Sequence, residues 1–103
     1  VFMTELNGRQ RRKLKSLAHH LNPVVQIGQK GLTEALIKAI DKALNDHELI
    51  KVKFVDFKDE KRELAEEVSS ETGSALVGMI GHIAILFREN PELERKERID
   101  PGQ

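Results

Sequence analysis

The sequence predicts a two-layer α/β domain, with elements in the order α-β-α-β-α-β-β and a mixed four-stranded sheet. Three observations predict it. Apolar residues recur at helical spacing in three segments. They alternate, or run on continuously, in four shorter segments. Gly, Pro or Asn punctuates most of the boundaries between the two kinds. At 103 residues the chain is one domain's worth and can bury one modest core.

Asn7 and Gln10 have the spacing of a capping box and open a helix over 8–21. Gln10, Leu14, Leu17, Ala18 and Leu21 fall on its inward face, and Arg9, Arg12, Ser16 and His19 on the outward face, with Lys15 beside them. Asn22-Pro23 ends it, because the residue before a proline is pushed out of the α region. A short strand over 24–27 and the loop Gly28-Gln29-Lys30-Gly31 follow. Thr33 caps a helix over 34–45 that turns Leu36, Ile40, Ala43 and Leu44 inward. In a strand over 49–55, Ile50, Val52 and Phe54 face one side and Lys51 and Lys53 the other. A third helix over 59–72 buries Leu64, Ala65 and Val68, and Gly73 suits its C′ position. Strands over 74–80 and 82–87 form a hairpin across Gly81-His82, and their near-continuous apolar character marks both as central and well covered. The helix between strands one and two makes them parallel, with a right-handed crossover. Residues 4–88 are thus the domain, and the charged stretch 89–103 is expected to be a flexible tail.

Composition excludes more than it selects. There is no cysteine, hence no disulfide framework and no thiolate metal site, which fits a reducing cytoplasm. No apolar run approaches the roughly 18–20 residues of a membrane span. The N-terminus is too polar to read as a signal sequence. The formal net charge of zero hides an asymmetry: residues 1–53 carry ten Lys and Arg against five Asp and Glu, and residues 54–103 carry seven against twelve. A segregated basic half can present a basic face to a polyanion, although composition by itself fits an ordinary salt-bridged surface as well or better.

The loop Gly28-Gln29-Lys30-Gly31 is the sharpest motif. It lies between a strand and a helix start, where unpaired N–H groups and the helix dipole attract anions, and Lys30 adds a full charge. Two glycines leave its backbone approachable. It is neither a nucleotide-binding P-loop nor a dinucleotide fingerprint, since only two residues separate the glycines. The outward strip of the first helix (Arg9, Arg12, Lys15 and His19) can line up on phosphates or simply be a solvated face, and the same alternatives hold for Lys51 and Lys53. The four histidines show no metal-ligand spacing, no Ser or Thr sits in a nucleophile motif, and the carboxylates of the third helix are spaced as a solvated face. No catalytic residue, metal or cofactor is therefore assigned. Aromatic residues are scarce, with no Trp or Tyr, and Phe54 and Phe87 read as core, which argues against a stacking platform.

Read in order, Gln10-Arg11-Arg12, Leu14-Lys15, Ala18-His19, the run from Pro23 to Thr33, the run from His47 to Lys53, Ile80-Gly81-His82 and Leu86-Phe87-Arg88 resemble the CRM domain (chloroplast RNA splicing and ribosome maturation). The resemblance covers residues 4–88 and is strongest to the stand-alone bacterial, YhbY-like form. It implies a fold similar to the C-terminal domain of translation initiation factor three, with strand order 1-2-4-3 and an antiparallel fourth strand. It implies binding to structured ribosomal RNA during assembly of the large ribosomal subunit, without catalysis or cofactor; no small-molecule substrate is expected beside the RNA, and the chain is expected to be a monomer. Carried onto this chain, the RNA contacts fall on Gly28, Gln29, Lys30 and Gly31 and on the basic residues of the first helix, and Lys51, Lys53 and Arg88 are added as expected contacts. One departure is Phe87, where the family pattern has Tyr before the Arg. The alternative is a protein-interaction module that docks on a ribosomal protein, and a small hydrolase is disfavoured by the missing nucleophile, metal and paired acids.

Overall fold

The computed structural model describes residues 6–93. The elements are α1 (Gly8–Ala18), β1 (Val25–Ile27), α2 (Glu34–His47), β2 (Leu49–Phe54), α3 (Lys61–Thr72), β3 (Ala75–Ile80) and β4 (Ile83–Phe87). The order and type of every element match the sequence reading. Local chemistry explains the boundaries. The Asn7 side chain accepts from the Gln10 N–H at 2.8 Å while the Gln10 side chain accepts from the Asn7 N–H, a complete capping box. Thr33 Oγ1 accepts from the Leu36 N–H at 3.0 Å. α3 stops at Gly73, whose φ of 67° is left-handed.

The strand order is β1-β2-β4-β3. β1 and β2 are parallel, with Val25 opposite Val52, and the β2–β4 and β3–β4 pairs are antiparallel. This is the arrangement the family resemblance implies. Each strand sends alternate residues to opposite faces. Ile27, Ile50, Val52, Phe54, Ala84 and Leu86 meet Ile40 and Leu44 of α2 and Ala65 and Val68 of α3. On the other face Leu49, Val77, Ile85 and Phe87 meet Leu14 and Ala18 of α1.

Four expectations need correction. The helices cover both faces of the sheet, not one, because β4 is apolar on both sides and each side needs a cover. β3 is an edge strand, so only β4 of the hairpin is central. α1 ends at Ala18, and Leu17 and Leu21 stay 39% and 38% exposed, because Leu14 and Ala18 already fill the contact with the sheet. Arg88, expected on the RNA surface, is only 5% exposed. Its guanidinium donates to the Asp41 carboxylate at 2.6 Å, the Thr72 carbonyl at 2.6 Å, and the Asp41 carbonyl and Asn45 Oδ1 at 2.9 Å. A group so engaged is a structural tie, and Arg88 is withdrawn from the site.

The flexible-tail expectation for 89–103 lies mostly outside the described residues. Its first part is anchored: the Asn90 side-chain amide donates to the Asn45 carbonyl at 2.8 Å, and its backbone N–H donates to the Glu48 carboxylate. No helix among the described residues is long and apolar enough to cross a membrane.

Removing the Arg88 tie strands two carbonyls in a buried place. Arg88→Leu is expected to lower the free energy of unfolding by about 3 kcal/mol in a urea titration. Arg9→Leu on the exposed face of α1 is the control and should move it by less than about 0.5 kcal/mol. A loss below about 1 kcal/mol for Arg88→Leu would show that the tie is dispensable.

Candidate nucleic-acid interface

The parallel pairing of β1 with β2 brings two loops together at one end of the sheet. The Ile27 carbonyl accepts from both the Val55 N–H at 2.9 Å and the Asp56 N–H at 3.2 Å, so the chain leaving β1 and the chain leaving β2 start side by side. The first of these is the 28–31 loop. It closes as a tight turn in which the Gly31 N–H donates to the Gly28 carbonyl at 3.0 Å. Gly31 has φ 67°, a conformation that favours glycine. Gly28 does not, and a Cβ added there would meet nothing within 4 Å, so what its missing side chain leaves is open space before the loop. Gln29 and Lys30 are exposed. A shallow concavity of about 380 Å³ is lined by Gln26, Gly28, Gln29, Lys30, Gly31 and Thr33, and α2 begins one residue beyond Thr33.

The second element is α1. Arg9, Arg12, Lys15 and His19 are all exposed, as the helical spacing predicts. Lys15 is laid across β3 at Gly78, where an added Cβ would come within 2.5 Å of Lys15 Cε. Arg11 is spent differently: its guanidinium donates to the Leu76 and Val77 carbonyls at 2.6 and 3.0 Å, at the irregularity between Leu76 and Gly78 where β3 loses register with β4. That contact fixes α1 to the sheet edge. The His19 and His20 rings form an edge-to-face pair 5.3 Å apart at the helix end.

The structure does not merge these two elements. α1 packs mainly on β3, β2 and β4, while the 28–31 loop leaves β1 at the opposite edge. Lys51 and Lys53 of β2 lie between them, because they alternate with the residues that meet α2 and α3 and so face the α1 side. Lys53 is exposed. Lys51 is half-buried, and its ammonium donates to the Leu21 carbonyl at 3.0 Å, so it helps hold the α1–β1 connection.

Sequence reasoning missed a second group at the same end of the sheet. The Phe54 N–H donates to the His82 carbonyl at 2.8 Å, which sets the β3–β4 turn against the end of β2. Lys61 Nζ donates to the Gly81 carbonyl at 2.7 Å and lies 3.1 Å from His82 Nδ1. Lys58 and Lys53 also act on that imidazole. Phe57, 41% exposed, lies in the neighbouring 55–60 loop with its ring against Gly31. The signal available was an aromatic residue inside the otherwise charged run from Asp56 to Arg62.

Residues 6–88 match the model of the CRS1/YhbY (CRM) domain. The chain belongs to that family. An RNA-binding protein of Haemophilus influenzae is 48% identical over 91 residues, spanning 87% of this chain and 92% of that protein. The probable RNA-binding protein YqeI of Bacillus subtilis is 39% identical over 93 residues, spanning 89% of this chain and 97% of its own length. The solution structure of a Staphylococcus aureus protein, described as a candidate RNA-binding protein, superposes with a TM-score of 0.76 at 45% identity, covering 87% of this chain and 95% of that one. Among the described residues of this CRM domain, no group of three or more His, Cys, Asp or Glu side chains could hold a metal ion.

The lysines around the β3–β4 turn act on the imidazole beside them. Lys61 first, then the partial shielding of the ring from water, then Lys58 and Lys53, disfavour a charged imidazole and hold His82 below its ordinary value of 6.5. An NMR titration should give His82 a midpoint under 6.5, and Lys61→Ala should raise that midpoint; no change on removing Lys61 would reject the assignment of cause.

Proposed function

We propose that this protein binds structured RNA through its sugar–phosphate backbone, with the 28–31 loop as the principal grip and the exposed face of α1 as a second. The observation that carries the reading is the loop: Lys30 sits exposed between two glycines, with Gly31 in a left-handed turn and the start of α2 three residues beyond. Such a loop offers a phosphate a charge, an approachable backbone and the positive end of a helix. The relatives named as RNA-binding proteins support it. Arg9, Arg12, Lys15 and His19 extend the contact along α1, and Lys53 bridges the two elements. Lys51 contributes less, since its ammonium is held by the Leu21 carbonyl. The proposed cargo is ribosomal RNA in precursors of the large subunit, as the family resemblance implies, and the role is that of a non-enzymatic assembly factor acting as a monomer in the cytoplasm.

The rival reading, docking on a ribosomal protein, has one observation in its favour. A largely apolar cleft of about 460 Å³ opens at the end of α1, lined by Leu21, Val24, Leu49 and Ile50 together with Asn22, Asp46 and His47. Salt separates the two readings, because phosphate contacts release counterions and protein docking through an apolar cleft does not. Lys30→Ala should weaken binding to all structured RNAs about equally and lower the log–log salt slope by about one, with unfolding free energy unchanged within about 0.5 kcal/mol. Gly31→Asp should be worse, since it adds a negative charge and a strained φ where phosphate must approach. Arg12→Glu should add to the loss. Unchanged RNA affinity in both Lys30→Ala and Arg12→Glu, with melting curves intact, would reject this surface and favour docking through the cleft.

A further inference from the structure

Phe57 does not behave as a core residue. It is 41% exposed and has φ 58°, a left-handed conformation that an aromatic residue rarely adopts. Nothing covers it among the described residues in the way that Phe54 and Phe87 are covered. Its backbone is held on both sides: the Asp56 N–H donates to the Ile27 carbonyl at 3.2 Å, and the Glu60 N–H donates to the Phe57 carbonyl at 3.1 Å. The ring lies against the 28–31 loop, so close that a Cβ on Gly31 would stand 3.5 Å from Phe57 Cε2. A strained backbone that presents an apolar ring to water, beside a loop built for anions, is a cost to the free fold that a ligand can recover.

The charges around the ring indicate which part of a ligand it receives. The 55–60 loop forms an open concavity of about 550 Å³ lined by Val55, Asp56, Phe57, Lys58, Asp59 and Glu60. Its three carboxylates outnumber the single lysine, so the concavity does not suit a phosphate. Cations stand on either side instead: Lys30 in the neighbouring loop, and Lys53 and Lys61 toward the β3–β4 turn. An apolar ring among carboxylates that turn a phosphate away, with Lys30 in the adjacent loop and Lys53 and Lys61 toward the β3–β4 turn to receive one, fits a flat uncharged group whose linkers carry negative charge. A nucleobase in a strand answers that description.

We propose that the Phe57 ring stacks one unpaired base of the bound RNA, next to the phosphate held by the 28–31 loop. The proposal rests on the reading of that loop as an RNA grip and adds to it a preference: RNA with an unpaired nucleotide at this point is bound better than continuous duplex. A paired base is already stacked within its helix and cannot be offered to the ring.

The test compares a hairpin RNA carrying an unpaired loop with a blunt duplex of the same stem. Phe57→Asn removes the ring while keeping a residue that tolerates a left-handed φ, so the fold should melt no lower than the parent. It should weaken hairpin binding about tenfold, leave duplex binding unchanged, and leave the salt slope unchanged because no phosphate contact is lost. Phe57→Trp should bind the hairpin as the parent does. The chain has no Trp or Tyr, so the indole of F57W is the sole bright fluorophore. Its emission should be quenched by the hairpin and not by the duplex. Unchanged hairpin affinity in Phe57→Asn, an equal loss for hairpin and duplex, or no quenching at saturation would each overturn the stacking. If Lys30→Ala weakens binding while Phe57→Asn does not, the loop stands and only the stacking falls. If neither variant weakens it, both fall.

Discussion

The fold turns on one buried cation. Arg88 follows the central strand β4 and reaches acceptors on α2 and at the end of α3. Its own N–H donates to the carbonyl of Glu48, the residue that joins α2 to β2 with φ 62°. Burying a guanidinium is unfavourable unless nearly every donor is met, and here the acceptors come from separate elements. The arrangement of α2 and α3 over the sheet is thus specified at a single point as well as by apolar contact. The exposed ion pairs of the helices, such as Lys42 with Asp46 and Arg62 with Glu66, add little by comparison.

Most of the architecture could be read from the residues because local signals agreed with tertiary demands. Asn7 and Gln10 mark a helix start by chemistry that needs no partner, and Lys51 and Lys53 betray the register of β2 by period alone. What escaped had its cause in distant contacts. Leu17 and Leu21 carry the right spacing for burial, yet Leu14 and Ala18 are the residues of α1 that close on the sheet. Arg88 reads as a surface charge until Asp41 and Asn45, more than forty residues earlier, are folded beneath it. That β3 rather than β4 is the edge follows from pairing partners, which apolar content does not encode.

The candidate site shows the same division. Lys30 and its glycines were legible because a strand, a turn and a helix start are consecutive in sequence. Arg9, Arg12, Lys15 and His19 were legible because helical period puts them on one face. Arg11 lies off that strip by helical period, and only the carbonyls of Leu76 and Val77 reveal that it is a fastener. Phe57 and His82 belong to different loops and become neighbours of the site through hydrogen bonds at Ile27 and Phe54 that no local pattern announces.

The sheet also separates charge. α1, with its exposed arginines and lysines, covers one face, while α3, on the other, exposes Glu63, Glu66, Glu67 and Glu71. A neutral molecule built this way has a permanent electric moment across its thickness. In the field of a polyanion it is turned before it touches, so that its basic side arrives first and fewer collisions are wasted on wrong orientations. The charge separation therefore favours approach of a polyanion from the α1 side, a property that overall neutrality alone would never disclose.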